Sequence, residues 1–292
     1  MTATFDFSPA SVAALAQADV ARALLEDVGA GDLTAGLVDP TRRARAIVVA
    51  RETAVICGAP WVQQAFMQID PGAEITWRIA EGQRCEADQT VLEVVGQARA
   101  LLTAERTALN FLQLLSAVAT KTNNYVQAIR EVPQVRASIV DTRKTIPGLR
   151  LAQKYAVRTG GGVNHRLGLH DAVLIKENHI AAAGGVTAVL KRAAETAPSA
   201  KFVQIEVEDL DQLREALQAG ATMILLDNMG LSQLHEAVHI TDGRALLEVS
   251  GGVNLSSVCA IASTGVDRIS IGALTKSVNA TDFSMRFVDA PV

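Results

Sequence analysis

The 292-residue chain holds only three cysteines, Cys57, Cys85 and Cys259, far apart and without a CxxC pair. An odd, unpatterned set excludes a disulfide framework and points to a reducing compartment, the cytoplasm. Aromatic residues are scarce, at seven Phe, two Tyr and two Trp, which leaves few platforms for stacking nucleic-acid bases. Net charge is −4, from 27 basic and 31 acidic residues, so no global field favours nucleic acid or a membrane surface. No apolar run approaches the ~20 residues that span a bilayer. The start, MTATFDFSPA, has no basic segment followed by an apolar one, so no signal peptide is expected. Apolar residues make up 49 % of the chain, enough to build one large core or two ordinary ones without covalent staples.

What is present is a local concentration of cations. Residues 138–180 read SIVDTRKTIPGLRLAQKYAVRTGGGVNHRLGLHDAVLIKENHI. Two apolar runs, 138–140 and 172–175, end in Arg143-Lys144 and in Lys176. A glycine-rich loop between them supplies His165 and Arg166. Parallel α/β folds place their chemistry at strand ends. Each cation alone reads as a solvated loop charge; together they ask for a ligand with several negative charges.

The rest of the chain divides into two patterns. Residues 9–28 have helical spacing, with Ser8 as cap and Pro9 at the first turn. Gly29 and Gly31 close that segment, and they make no dinucleotide fingerprint because no strand precedes them. Residues 46–50, 54–57, 75–79 and 90–95 read as short strands separated by turn residues, with a helix over 61–69. A long helix is expected over 101–131; Arg106 lies on it beside Glu105, in what reads locally as a surface ion pair.

After residue 135, strands at 137–141, 172–176, 202–207, 222–227, 245–249 and 267–271 alternate with helices at 147–159, 184–196, 209–219, 230–239 and 255–264. Pro147 suits the first turn of its helix, and Asp209 and Asn254 suit caps. The spacing contracts to about 20 to 22 residues per unit, the rhythm of a parallel α/β barrel; six strands are read, so either the barrel is incomplete or two further strands are not legible in the pattern. The strand ends then converge on one mouth. Beside the cations they bring Glu206 and Asp227, carboxylates able to hold Mg²⁺ against hydroxyls or phosphates. They also bring Ser250-Gly251-Gly252 and Ser270-Ile271-Gly272-Ala273, whose backbone N–H groups suit a phosphate. His235-Glu236-Ala237-Val238-His239 matches a zinc-protease HExxH. It falls in an outer crossover helix away from the mouth, so zinc is not expected.

Several pieces together resemble the quinolinate phosphoribosyltransferase family: DTRKTIPGLR at 141–150, GGGVNHR at 160–166, Lys176 to Ile180, Glu206-Val207-Glu208, Leu226-Asp227-Asn228-Met229, Ser250-Gly251-Gly252 and Gly272-Ala273-Leu274-Thr275. The stretches Glu26-Asp27 through Thr34 and Ala104 through Thr120 extend it over nearly the whole chain. Ala117 stands where glycine is expected, and Val249 where a smaller residue is usual.

The resemblance implies an N-terminal α/β sandwich over 1–112, completed by about 279–292, and an incomplete parallel α/β barrel over 113–278. It implies a homodimer in which Arg106 serves the neighbouring subunit's site. The substrates would be quinolinate and 5-phosphoribosyl 1-diphosphate, with Mg²⁺ accompanying the diphosphate. Arg106, Arg143, Arg166 and Lys176 would hold the quinolinate carboxylates, and His165 would orient the ring. Lys144 and Thr142 would contact substrate, Glu206 and Asp227 the ribose and metal. Ser250, Gly251, Gly252, Ile271, Gly272 and Ala273 would hold the 5-phosphate. Lys144, Glu206 and Asp227 are the expected catalytic groups. The residues alone leave three rivals: a related transferase for another ring, an aldolase or isomerase with Lys176 as Schiff base, and a non-catalytic phosphate sensor.

Overall fold

The computed structural model describes residues 5–288. They form two units: residues up to Lys121, 146–161 and from Ser277 on make one, and Thr122–Thr145 with Gly162–Lys276 make the other.

The first unit opens with helix α1, Pro9–Val28, whose first turn is capped by the Ser8 hydroxyl accepting from Ser11 N. Strands β1 (Arg43–Ala50), β2 (Ala54–Val55), β3 (Glu74–Trp77), β4 (Arg84–Cys85) and β5 (Thr90–Gln97) follow, with α2 (Ala59–Ile69) between β2 and β3. Glu81 caps α2, its carboxylate accepting from Gly58 N and Ala59 N, and Trp61 Nε1 donates to buried Asp19 on α1 at 3.0 Å. Helix α3, Ala98–Arg130, runs on from β5. The last strand among the described residues, β12 (Phe283–Phe287), pairs antiparallel with β1, Ala46 facing Phe287, in a sheet ordered β12-β1-β5-β3.

The second unit is an incomplete α/β barrel. Its six parallel strands are β6 (Ser138–Val140), β7 (Val173–Ile175), β8 (Val203–Val207), β9 (Met223–Asp227), β10 (Leu246–Ser250) and β11 (Arg268–Ser270), ordered β6-β11-β10-β9-β8-β7. All six strands expected from the sequence are there. Val163 adds a single parallel bridge to Val140 beside β6, and among the described residues β7 pairs only with β8. Helices α5 (Glu177–Ala183), α6 (Val186–Thr196), α7 (Leu210–Gln218), α8 (Leu231–Thr241), α9 (Val258–Ala262) and α10 (Ala273–Lys276) connect or follow them. Asp209 caps α7, accepting from Asp211 N and Gln212 N. Asn254 makes a turn instead of the cap, which falls at Ser257.

Two expectations need correction. Helix α4 spans Arg150–Thr159, so Pro147 lies ahead of it, in a turn where Gly148 takes φ +80° and Gln153 accepts from Ile146 N. Residues 146–161 also leave the barrel for the first unit. The cause is packing: Tyr155 lies 5.4 Å from the Trp61 ring, and the Arg158 guanidinium sits 5.0 Å over Phe7. The two units divide after Lys121 and again before Ser277.

Candidate active site

Side chains two apart on a strand share a face. That alternation sends Gln204 and Glu206 of β8, Glu248 and Ser250 of β10, and Arg268 and Ser270 of β11 to one side of the sheet, where polar groups meet instead of a filled apolar centre. A cavity of about 320 Å³ opens there, lined by Thr142, Arg143, Lys144, His165, Arg166 and Lys176 along with Leu174, Glu206, Leu225, Glu248, Ser250 and Ser270. A second cavity of about 420 Å³ shares several of these walls and extends over Asp227, Asn228, the 250–253 loop, the 270–273 loop and Lys276.

The cations are held from below by buried carboxylates. Asp141, wholly buried, accepts from His165 N at 2.8 Å and from Asn164 Nδ2 at 2.7 Å. Asp171 accepts from Leu167 N and Gly168 N; burial alone would raise its pKa, but those two bonds together with the charges of His170 and Lys201 pull it down. The loop carrying His165 and Arg166 is therefore pinned at both ends. Arg166 is itself buried, its Nη1 donating to Ala172 O at 3.3 Å. Burial, and then the charge of Arg143, push its pKa down. Arg143 Nε is buried without a hydrogen-bond partner. Two guanidiniums crowded together, one with an idle donor, make a receptor for an anion.

His165 is committed inward. Its Nδ1 accepts the Arg166 N–H at 2.8 Å, so Nε2 carries the proton and donates to Gln204 Oε1 at 2.7 Å. Neither nitrogen is spare to bond a ligand in this state. Lys176 Nζ donates to both oxygens of Glu206, at 2.9 and 2.6 Å. An ammonium so held is a poor Schiff-base nucleophile, which disfavours the aldolase reading. Lys144 is fixed at its backbone, N donating to Thr142 Oγ1 and O accepting from Thr275 Oγ1 at 2.7 Å.

The family model for the quinolinate phosphoribosyl transferase N-terminal domain matches residues 32–116, and that for the C-terminal domain matches residues 118–286. The chain belongs to the quinolinate phosphoribosyl transferase family. It is 43 % identical to the nicotinate-nucleotide pyrophosphorylase (carboxylating) of Mycobacterium leprae, covering 91 % of this chain and 95 % of that one. It is 40 % identical to the probable enzyme of that name from Bacillus subtilis, covering 89 % of each. Among solved structures, the nicotinate-nucleotide pyrophosphorylase from Francisella tularensis aligns with a TM-score of 0.91 at 42 % identity, over 99 % of this chain and 100 % of that one.

In this phosphoribosyl transferase the residues expected at the mouth do gather: all lie on the two cavities except Arg106, which is exposed on α3 in the first unit. Six lining residues were not singled out as site residues from the sequence: Leu174, Leu225, Asn228, Glu248, Val253 and Lys276. Strand alternation, counted back from Ser250, was the signal that could have found Glu248. The HExxH residues lie exposed on α8, where Glu236 pairs with Arg214 at 3.2 Å. Among the described residues no group of three or more His, Cys, Asp or Glu is placed to hold a metal, and no helix is long and apolar enough to cross a membrane.

Proposed function

We infer that this chain joins quinolinate to 5-phosphoribosyl 1-diphosphate with loss of CO₂, giving nicotinate mononucleotide and diphosphate for NAD biosynthesis. The observation that carries the reading is the cavity with Arg143, Arg166 and Lys176 on its walls, beside a second cavity with two small-residue loops. Adjacent carboxylates suit the first, and a phosphorylated sugar suits the second. The ring nitrogen forms its bond to the anomeric carbon while the bond to diphosphate breaks, the electron pair leaving on diphosphate. The ring is now a pyridinium, so the C–CO₂ bond next to nitrogen can break; its electron pair stays on carbon and takes a proton from water. The protein positions the partners and complements their charge.

Asp227 and Glu206 line the second cavity as hard oxygen donors, a set that fits Mg²⁺ shared with substrate phosphates. Bound with the diphosphate, Mg²⁺ would neutralise the leaving group. Glu206 reaches that role by exchanging Lys176 for the donor, since quinolinate offers Lys176 a new anion. Mixing the protein with both substrates and Mg²⁺ should yield nicotinate mononucleotide and CO₂ in equal amounts. Nicotinate in place of quinolinate, or added EDTA, should yield neither. Product formed equally well from nicotinate would sink the dicarboxylate reading.

We further propose a homodimer in which Arg106 completes the neighbouring site, which accounts for an arginine exposed on α3. Arg106→Ala and Lys176→Ala should each be inactive alone. Mixed and re-equilibrated, they should regain about a quarter of wild-type activity, since half the dimers are mixed and each of those has one intact site. Two variants that stay dead on mixing, with subunit exchange verified, would rule out action in trans. The three cysteines are free, in keeping with the cytoplasm as the proposed compartment.

A further inference from the structure

The cavity floor holds an anion that the substrate reading has not used. Glu248 lines the first cavity and has no exposed surface. Its Oε2 accepts from Arg268 Nε at 2.8 Å. Its Oε1 is buried with no hydrogen-bond partner. His165 Nε2 lies 3.5 Å from that oxygen but gives its proton to Gln204, so it does not satisfy it. A buried carboxylate oxygen without a donor is costly. Glu206, by contrast, has both oxygens on Lys176. One half-paired carboxylate therefore sits beneath walls made of cations.

The wall cations meet the two substrate carboxylates, whose charge is the same before and during glycosyl transfer. They hold ground state and transition state alike, which by itself does not speed the chemical step. What changes is the ring: neutral on entry, positive once nitrogen bonds to the anomeric carbon and diphosphate leaves with the electron pair. A fixed anion under the ring opposes the incoming dianion and favours the pyridinium, so its effect is confined to the step that creates positive charge. We propose that Glu248 is a catalytic residue of this site, its unpaired carboxylate oxygen stabilising the positive charge that develops on the substrate ring. The proposal rests on the quinolinate reading.

The test compares two ring dicarboxylates with adjacent carboxylates on the full chain. Phthalate has no ring nitrogen; 1-methylpyridinium-2,3-dicarboxylate carries a permanent ring cation. Calorimetric affinities for both are measured with wild type and with Glu248→Gln. The preference for the cationic ring over phthalate should fall about tenfold or more in Glu248→Gln, with phthalate bound as tightly as before or more tightly. In steady state, kcat should fall about tenfold or more while KM for quinolinate stays level or drops. Equal weakening of both ligands, or kcat within about twofold of wild type, overturns the proposal. If Glu248→Gln does not fold with Arg268 left unpaired, Glu248→Gln with Arg268→Gln removes both charges, and the affinity ratio is read in the same way. Wild type that binds both ligands but makes no product overturns the substrate reading alone, and the ratio still decides the role of Glu248. Wild type that binds neither ligand overturns both.

Discussion

Arg166→Ala should lower kcat/KM for quinolinate by about three orders of magnitude and leave KM for the diphosphate donor within about twofold. Arg166 lines the first cavity and is absent from the walls of the second, so the loss should fall on one substrate. Charge-assisted hydrogen bonds contribute roughly 1.5–3 kcal/mol each, and a guanidinium fork makes two to a carboxylate; together they amount to about 3–6 kcal/mol. Arg166→Lys keeps the charge without the fork and should recover only part of the loss.

Stability should move the other way. Burial and Arg143 push the Arg166 pKa down, which means the native state disfavours this charge relative to the unfolded chain. The group is charged at all working pH values, so its penalty is present throughout, and removing it should leave the thermal midpoint unchanged or raised. A variant that loses activity by unfolding would show the opposite. Near-normal kinetics for quinolinate in a folded Arg166→Ala would sink its place in the carboxylate clamp.

Arg166 was legible in the sequence because it stands in a loop between two strand-like runs, with Arg143, Lys144 and Lys176 at their ends. Reading the strand ends likewise picked out Glu206 and Asp227, which the structure places on the wall of the second cavity. It missed Glu248, which sits two residues before the end of β10, because a charge inside an apolar run looks like one polar position among many. Strand alternation gives its face, but the surroundings that set it apart, the Arg268 guanidinium and the nearby His165 ring, come from residues 20 and 83 positions away. The pairing of β12 with β1 is of the same non-local kind. So is the move of α4 to the first unit: its apolar face could have met any helix or sheet, and Trp61 and Phe7 are the groups it meets. Local periodicity fixes where an element is and which way a residue points; the choice of partner lies in surfaces far apart in the chain.

Gly251→Ala should raise KM for the diphosphate donor about 30-fold and lower kcat about tenfold, while phthalate binding stays within about twofold. Gly251 holds φ at +103°, and a Cβ there would lie 2.0 Å from Asn228 Oδ1 and 3.2 Å from Asn228 N. The Asn228 amide must swing away, and its backbone nitrogen behind it must give by a few tenths of an ångström. Asn228 is itself left-handed at φ +54°, and its Nδ2 donates to Asp227 Oδ2 at 2.8 Å. A methyl group at 251 therefore drives Asn228 away and loosens Asp227 with it. Left-handed strain at a non-glycine residue costs about 1–3 kcal/mol, and the displaced loop adds lost phosphate contacts. Gly272→Ala is the control. Its Cβ would meet Lys144 Cδ at 3.0 Å, the middle of a flexible side chain that can swing aside, so changes should stay within about fivefold. If the two alanines behaved alike, the 250–252 loop would not be the rigid half of a phosphate site, and the sugar would have to be held elsewhere on the second cavity.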